Sequence, residues 1–332
     1  MKKFIYVTLA IVVLAACNKK DDDIDDETPN VDTAKTVQIS LGASYANDIY
    51  YSFENGVVAT KPRNEWHIGF STNAMSSSIL TNAGTGIYLY MYQSGDNINW
   101  NSPIDTTGFN WKVLPNSNVT WEEGAFGHTA GEFPDYGWGK YDMATHNLTG
   151  TAIFIIKLAA NDYRKVMIES KSSAAKTYVF KYSNLDGSNS ETVTLDCKPY
   201  ASKNFVYYSL TGKQIVDHEP ATSDWDIVFT KYYDEVMNYI VTGALSNIDY
   251  SVLQVDDVTD PKVFNDTTGT YINNIDAIGA DWKSFNLEAF IYNVDSNSVF
   301  MVKNPEGNIH KLYFTKFDGS ATGNLTMVHQ KL

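Results

Sequence analysis

Residues 224–233 read DWDIVFTKYY, and residues 65–72 read EWHIGFST. Each phrase has an acid, a Trp, a polar residue and an Ile, with a Phe two further on. Read as strands, period-two alternation puts Trp225, Ile227 and Phe229 on one face, and likewise Trp66, Ile68 and Phe70. Asp226 and His67 then share the opposite face.

The likeness extends outward from this phrase. TVQISLGASYANDIYYSF (36–53) matches TVTLDCKPYASKNFVYYSL (192–210), and WGKYDM (138–143) matches WKSFNL (282–287). IFIIKLAANDYRKVMI (153–168) matches VFMVKNPEGNIHKLYF (299–314). Four blocks recurring in one order point to an internal repeat. AIFIIK and SVFMVK are apolar on both faces, as strands covered on both sides are. Each is followed by a short turn and a second strand, a hairpin pattern. No segment has a long helical period. The expected fold is all-β: two tandem, homologous, mostly antiparallel β domains with few short helices, at 35–188 and 189–332.

Composition agrees. The 332 residues are 43% hydrophobic, with 22 Tyr and 7 Trp, enough for a sizeable core and typical of β structure. The net charge of −14 repels nucleic acid and argues against it as a partner.

The N-terminus, MKKFIYVTLAIVVLAAC, has two lysines, a short apolar run and Leu-Ala-Ala before Cys17. This describes a signal peptide over 1–16 rather than a spanning helix. The Cys resembles that of a bacterial lipobox, in which it is lipid-modified and becomes the mature N-terminus. The acidic stretch Asp21–Glu27 has almost nothing apolar to bury, so 17–34 reads as a disordered tether. It also resembles the surface-export signal of Bacteroidetes lipoproteins; a plain spacer facing the periplasm is the other reading. The mature chain then keeps one further cysteine, Cys197, which excludes a Cys-based zinc site and reads as a small buried apolar residue in a strand. There is no phosphate loop, GxSxG, HExxH or complete calcium loop, so nothing supports an enzyme.

Taken together, these stretches resemble the HmuY-like haem-binding lipoproteins of Bacteroidetes. The resemblance rests on the lipobox and acidic tether, on TVxI…YYSF…NG with WHIGF, on DWDIVFTKYY, and on SVFMVKNPEGNIHKLYFTKFD near the C-terminus. It implies a mostly β protein, anchored to the outer membrane or shed from it, that captures haem and passes it to an outer-membrane receptor. It also implies a His or Met axial ligand just after a strand-start Trp. By position that is Met143 in the first copy and Leu287 in the second, and Leu cannot ligate iron.

The segment 111–146 concentrates aromatic residues among turn residues, as binding loops on a β scaffold do. Its haem axial ligand candidates are His128, Met143 and His146. Its pocket candidates are Trp121, Phe126, Tyr136, Trp138 and Tyr141, with Lys140 or Lys112 to meet a propionate. Iron through haem is the one metal expected. The bland alternatives are a core Met143, a solvated His128 and a turn His146. Of the other histidines, His67 reads as a polar contact, His310 as partly covered, His218 as a loop residue and His329 as frayed. The rival reading is a non-haem binding or adhesion module, whose Tyr and Trp stack on a glycan or pack on a protein partner.

Overall fold

The two runs apolar on both faces become interior strands, Ala152–Ala159 and Val299–Lys303, each followed by its hairpin partner, Asp162–Ser172 and Ile309–Phe317. The computed structural model describes residues 33–332. The signal peptide, Cys17 and nearly all of the acidic tether lie outside the described residues. Within them are twenty-two strands and seven three-residue 3-10 turns. All the strand pairings are antiparallel. The chain is therefore all-β, as its alternation requires.

Two large cores form, and neither follows the expected halves 35–188 and 189–332. One is filled by Phe70, Trp138, Phe154, Ile168 and Phe180, and by Leu195, Cys197, Val206 and Tyr208 from beyond residue 188. The other is filled by Phe229, Trp282, Phe300 and Phe314, and by Ile39, Leu41, Ile49 and Tyr51 from the start of the chain. Strand pairing gives the cause. Strand Lys35–Ser40 pairs with the last strand, Asn324–Lys331, while Glu191–Asp196 pairs with Thr177–Ser183. Strand Asn47–Ser52 pairs with Ile227–Asp234, while Phe205–Ser209 pairs with Ile68–Ser71. Each half lends its opening strands to the other half's core.

The exchange is reciprocal and in register. Tyr51 faces Ile227 and Ile49 faces Phe229; at the matching positions Tyr208 faces Ile68 and Val206 faces Phe70. Leu41 and Cys197, which align in the matching stretches 36–53 and 192–210, are both buried in a core. Burial pushes the Cys197 thiol up to about 11, so it is an inert apolar filler rather than a nucleophile. Lys165 and Lys311 also correspond. Lys165 donates to the carbonyls of Trp100 and Ser102, and Lys311 to the Lys262 carbonyl and the Asn265 side chain. Each ties a long loop to a core strand.

The opening phrase needs one correction. Trp66 and Trp225 do not share a core with the Ile and Phe that follow them. Each precedes its strand, at the end of a 3-10 turn (Arg63–Glu65 and Thr222–Asp224), so the alternation starts only at Ile68 and Ile227. Both Trp side chains turn instead to the junction between the two four-stranded sheets. There Trp225 meets Tyr50 at 5.1 Å and Trp66 meets Tyr207 at 4.7 Å, both edge-on. Gly84 lets the turn Ala83–Thr85 close on the neighbouring sheet: a Cβ there would lie 2.0 Å from the Lys231 carbonyl oxygen.

Buried charge completes the junction. Asp48 pairs with Arg63 at 3.0 Å, accepts from Thr230 at 2.6 Å, and lies 2.9 Å from His218 Nε2. Burial works to raise the Asp48 carboxyl, but Arg63, His218 and Thr230 together hold it below its ordinary range. His218 lies in a loop, as the sequence indicates, and is buried at the junction, 1% exposed. His329 does not fray: it lies in the last strand, buried, 2.8 Å from the Tyr51 hydroxyl. Glu219, also buried, accepts from the backbone of Asn204 and Phe205 and from the Tyr207 hydroxyl. Burial nevertheless lifts its carboxyl from 4.5 to about 7.

Two predictions follow from this architecture. Leu41→Ala should cost about 2–5 kcal/mol, and hydrogen exchange should show lost protection in 299–328 rather than in 153–182. For Glu219 the folded carboxyl titrates above the unfolded one, so between pH 4.5 and about 7 the folded state holds the extra proton. Stability from this group should fall as pH rises through that window, by up to ~3 kcal/mol, and Glu219→Gln should flatten the decline in a denaturant series.

Candidate functional site

The position shared by His67 and Asp226 has one structural duty. The Leu210 backbone N–H donates to His67 Nδ1 at 3.2 Å, and the matching Phe53 N–H donates to Asp226 Oδ2 at 2.5 Å. Their own N–H groups donate to the carbonyls of Tyr208 and Tyr51. His67 is buried, and burial pushes its imidazole down to about 4, so it stays neutral with Nδ1 as an acceptor. It is a polar contact in the fold, as the sequence indicates, and its ring is committed there.

The segment 111–146 is a long excursion that returns to strand through a hairpin, Gly139–Asp142 with Asn147–Gly150. The Trp residues pin it. Trp138 is fully buried and donates from Nε1 to the Ser77 carbonyl at 3.0 Å. Trp121 donates across the junction to the Ser246 carbonyl at 2.9 Å and rests 6.0 Å from Phe205. Phe126 is fully buried, edge-on to Phe154 at 4.9 Å. These three expected pocket walls are core and junction residues; Trp138 and Phe126 are fully covered by protein and Trp121 partly. Tyr136 and Tyr141 are half-buried and lie 6.1 Å apart, with the exposed Phe133 5.9 Å from Tyr141.

The three ligand-type side chains are at the surface. Met143 is 70% exposed, and His128 and His146 are exposed as well. Met143 is therefore not a core filler. Met143 and His146 share one hairpin turn. Asp142 Oδ1 accepts from the backbone of Ala144 and Thr145, and His146 closes the turn with φ +57°. His128 follows the 3-10 turn Ala125–Gly127 elsewhere in the segment. The second half repeats the turn: Asn286 Oδ1 accepts from Glu288 and Ala289, and Phe290 has φ +54°. Leu287 and Phe290 thus stand where Met143 and His146 stand, both exposed.

His146 is oriented by its neighbour. Its Nδ1 lies 2.6 Å from the Tyr141 hydroxyl, and the rings are 6.0 Å apart. Lys140 is paired with Asp96 at 3.0 Å on the surface, and Lys112 is exposed. Beside the hairpin lies a cleft of about 420 Å³ whose lining includes Met75, Ser77, Glu123, Phe133, Asp135 and Tyr136. None of His128, Met143 and His146 lines it. Met75, 82% exposed, is a further thioether beside this cleft. Nothing marks it locally; only the fold brings 75–78 beside 122–136.

Residues 1–18 match the prokaryotic membrane lipoprotein lipid attachment site. The chain carries a lipoprotein signal. No helix among the described residues is long and apolar enough to cross a membrane. No curated protein matches the chain. Among solved structures it is similar to apo PinO from Porphyromonas gingivitis: 12% identity, 90% of this chain and 97% of that one covered, TM-score 0.34. It is similar to the apo HmuY analog of Tannerella forsythia at 15% identity, covering 46% of this chain and 88% of that one, TM-score 0.25. A protein of Bacteroides vulgatus described as HmuY-like and heme-binding matches at 16% identity, covering 37% and 82%, TM-score 0.23. The neighbours thus include the HmuY-like proteins that the sequence resembles.

Because the three ligand-type side chains are exposed, replacing His128, Met143 and His146 together by Ala should move stability by no more than about 1–2 kcal/mol. A thermal melt that stays cooperative and close to the parent checks this.

Proposed function

We propose that the chain is a lipid-anchored, surface-displayed outer-membrane protein that captures haem and delivers it to an outer-membrane receptor. It acts as a binding protein rather than an enzyme. The observation that carries this reading is His146 on its hairpin turn. When Nδ1–H donates to the Tyr141 oxygen, Nε2 keeps its lone pair, and an outer partner of this kind fixes a ligating imidazole. Nε2 makes no hydrogen bond among the described residues, and Met143 sits on the same turn. Haem needs one or two such ligands beside an apolar surface, and Phe133, Tyr136 and Tyr141 supply aromatic edges next to the turn. Trp138 and Phe126 hold the segment from beneath, and His128 is the alternative second ligand. The lipid on Cys17 and the acidic stretch Asp21–Glu27 support anchoring and display.

A second reading is favoured by one observation: the cleft beside the hairpin has Ser76, Ser77, Ser78, Glu122, Glu123 and Asp135 in its lining. A macrocycle would leave such groups dry. On that reading the exposed aromatic side chains stack on a glycan or pack on a protein.

Haemin titrated into the purified chain should give a Soret band that the triple variant of His128, Met143 and His146 to Ala loses. Tyr141→Phe should keep the band but weaken haemin binding about 10–100-fold, the range seen for outer-shell partners of metal ligands. No haem-dependent absorbance in the parent protein would sink the haem reading and leave the glycan or protein module, which a glycan array and a pull-down from outer membranes then separate.

A further inference from the structure

A second, larger cleft, of about 960 Å³, opens where Asp226 begins its strand. It is bounded by the turn after Ser52, by 247–250 and by the hairpin turn 304–308, and is within the size of small-molecule sites, ~300–1,000 Å³. Its walls are fixed by hydrogen bonds. Asn247 donates to the carbonyls of Thr222 and Trp225 and accepts from Asn204 and Ile248. Asn304 and Asn308 hold each other across the hairpin turn. The His310 ring, which also lines the cleft, stacks on Phe53 at 4.7 Å and 10°.

Asp226 is the unusual member. It is half-buried, with Oδ2 accepting from the Phe53 N–H and Oδ1 from the Tyr250 hydroxyl, each at 2.5 Å. It has no ion-pair partner among the described residues. The other half of the chain shows that its charge is not needed for folding. There the same backbone N–H is satisfied by the neutral ring of His67. A half-buried carboxylate without a counter-charge costs stability. At this position the fold needs an acceptor, and the negative charge is an addition that faces the cleft.

We propose that this cleft binds a small ligand carrying a primary ammonium group, with Asp226 as its counter-charge. Tyr250 and His310 flank the ammonium with aromatic surface, and the Asn304 and Asn308 turn meets the polar remainder of the ligand. Exposed charges of both signs, Lys35, Glu306 and Lys331 among them, stand around the mouth, and the Asp226 carboxylate is half-buried. An amino sugar and a lysine side chain present the same ammonium, so the two sources are separated by experiment. The site is distinct from the hairpin turn proposed for haem.

Calorimetric titration of the full chain with glucosamine trisaccharide, its fully N-acetylated form and trilysine tests this. At least one amine should bind and the N-acetylated form should not. Asp226→Asn should weaken binding about tenfold or more, and added salt should weaken it too. Binding of the glucosamine form alone identifies an amino sugar; binding of both amines shows that the ammonium suffices. Asp226→His, which installs the acceptor used at residue 67, is the second charge-free variant and should melt like the parent. Neither variant should alter a haemin titration. The proposal is overturned if neither amine binds, if the N-acetylated sugar binds as well as its amine, or if both charge-free variants bind undiminished.

Discussion

Neither core can close with the strands of its own half. Ile39, Leu41, Ile49 and Tyr51 are buried among residues from 227 onward, and Leu195, Cys197, Val206 and Tyr208 among residues that end at 182. Every other feature depends on this crosswise loan. It places the two four-stranded sheets against each other, with Trp66, Trp225, Tyr50 and Tyr207 between them. It also carries Asp48, which pairs with Arg63 within its own hairpin, into contact with Thr230 and His218 of the other half. A buried pair of this kind adds little net stability against an apolar replacement, but losing one partner is severe. Its role is to make the junction specific.

Much of the fold was legible in the sequence. Ile68 with Phe70 and Ile227 with Phe229 alternate as strands do, and both fill cores. The runs at 153 and 299 are interior because both of their faces are apolar. The exchange itself was not legible, for a physical reason. Strand register is set by hydrophobic pattern, and the matching stretches 36–53 and 192–210 carry the same pattern, so sequence alone does not assign YYSF and YYSL to their partners. Only three-dimensional connection decides which strand goes where. Trp66 and Trp225 face away from the strand's core because they close 3-10 turns, where period-two alternation does not hold.

The site was legible in kind more than in place. Composition singled out 111–146, and the aromatic side chains there are ordered by hydrogen bonds from Trp121 and Trp138. Which of them are walls and which are core depends on burial, and a Trp in a turn-rich segment gives no local sign of that. The thioether of Met75 and the cleft at Asp226 were invisible because their parts lie far apart in the chain. His67 and Asp226 were the one clue: two residues with a shared acceptor role and unlike charge.

Strand Lys35–Ser40 has a consequence for how the protein is made. Lys35 lies opposite His329, nearly the whole chain away. An N-terminal segment emerging first from an export channel has no partner until almost the last residue has followed. Contacts of such separation form late. Strand Lys35–Ser40 therefore docks late, and the barrier to premature closure is written into the topology rather than into any inhibitory segment.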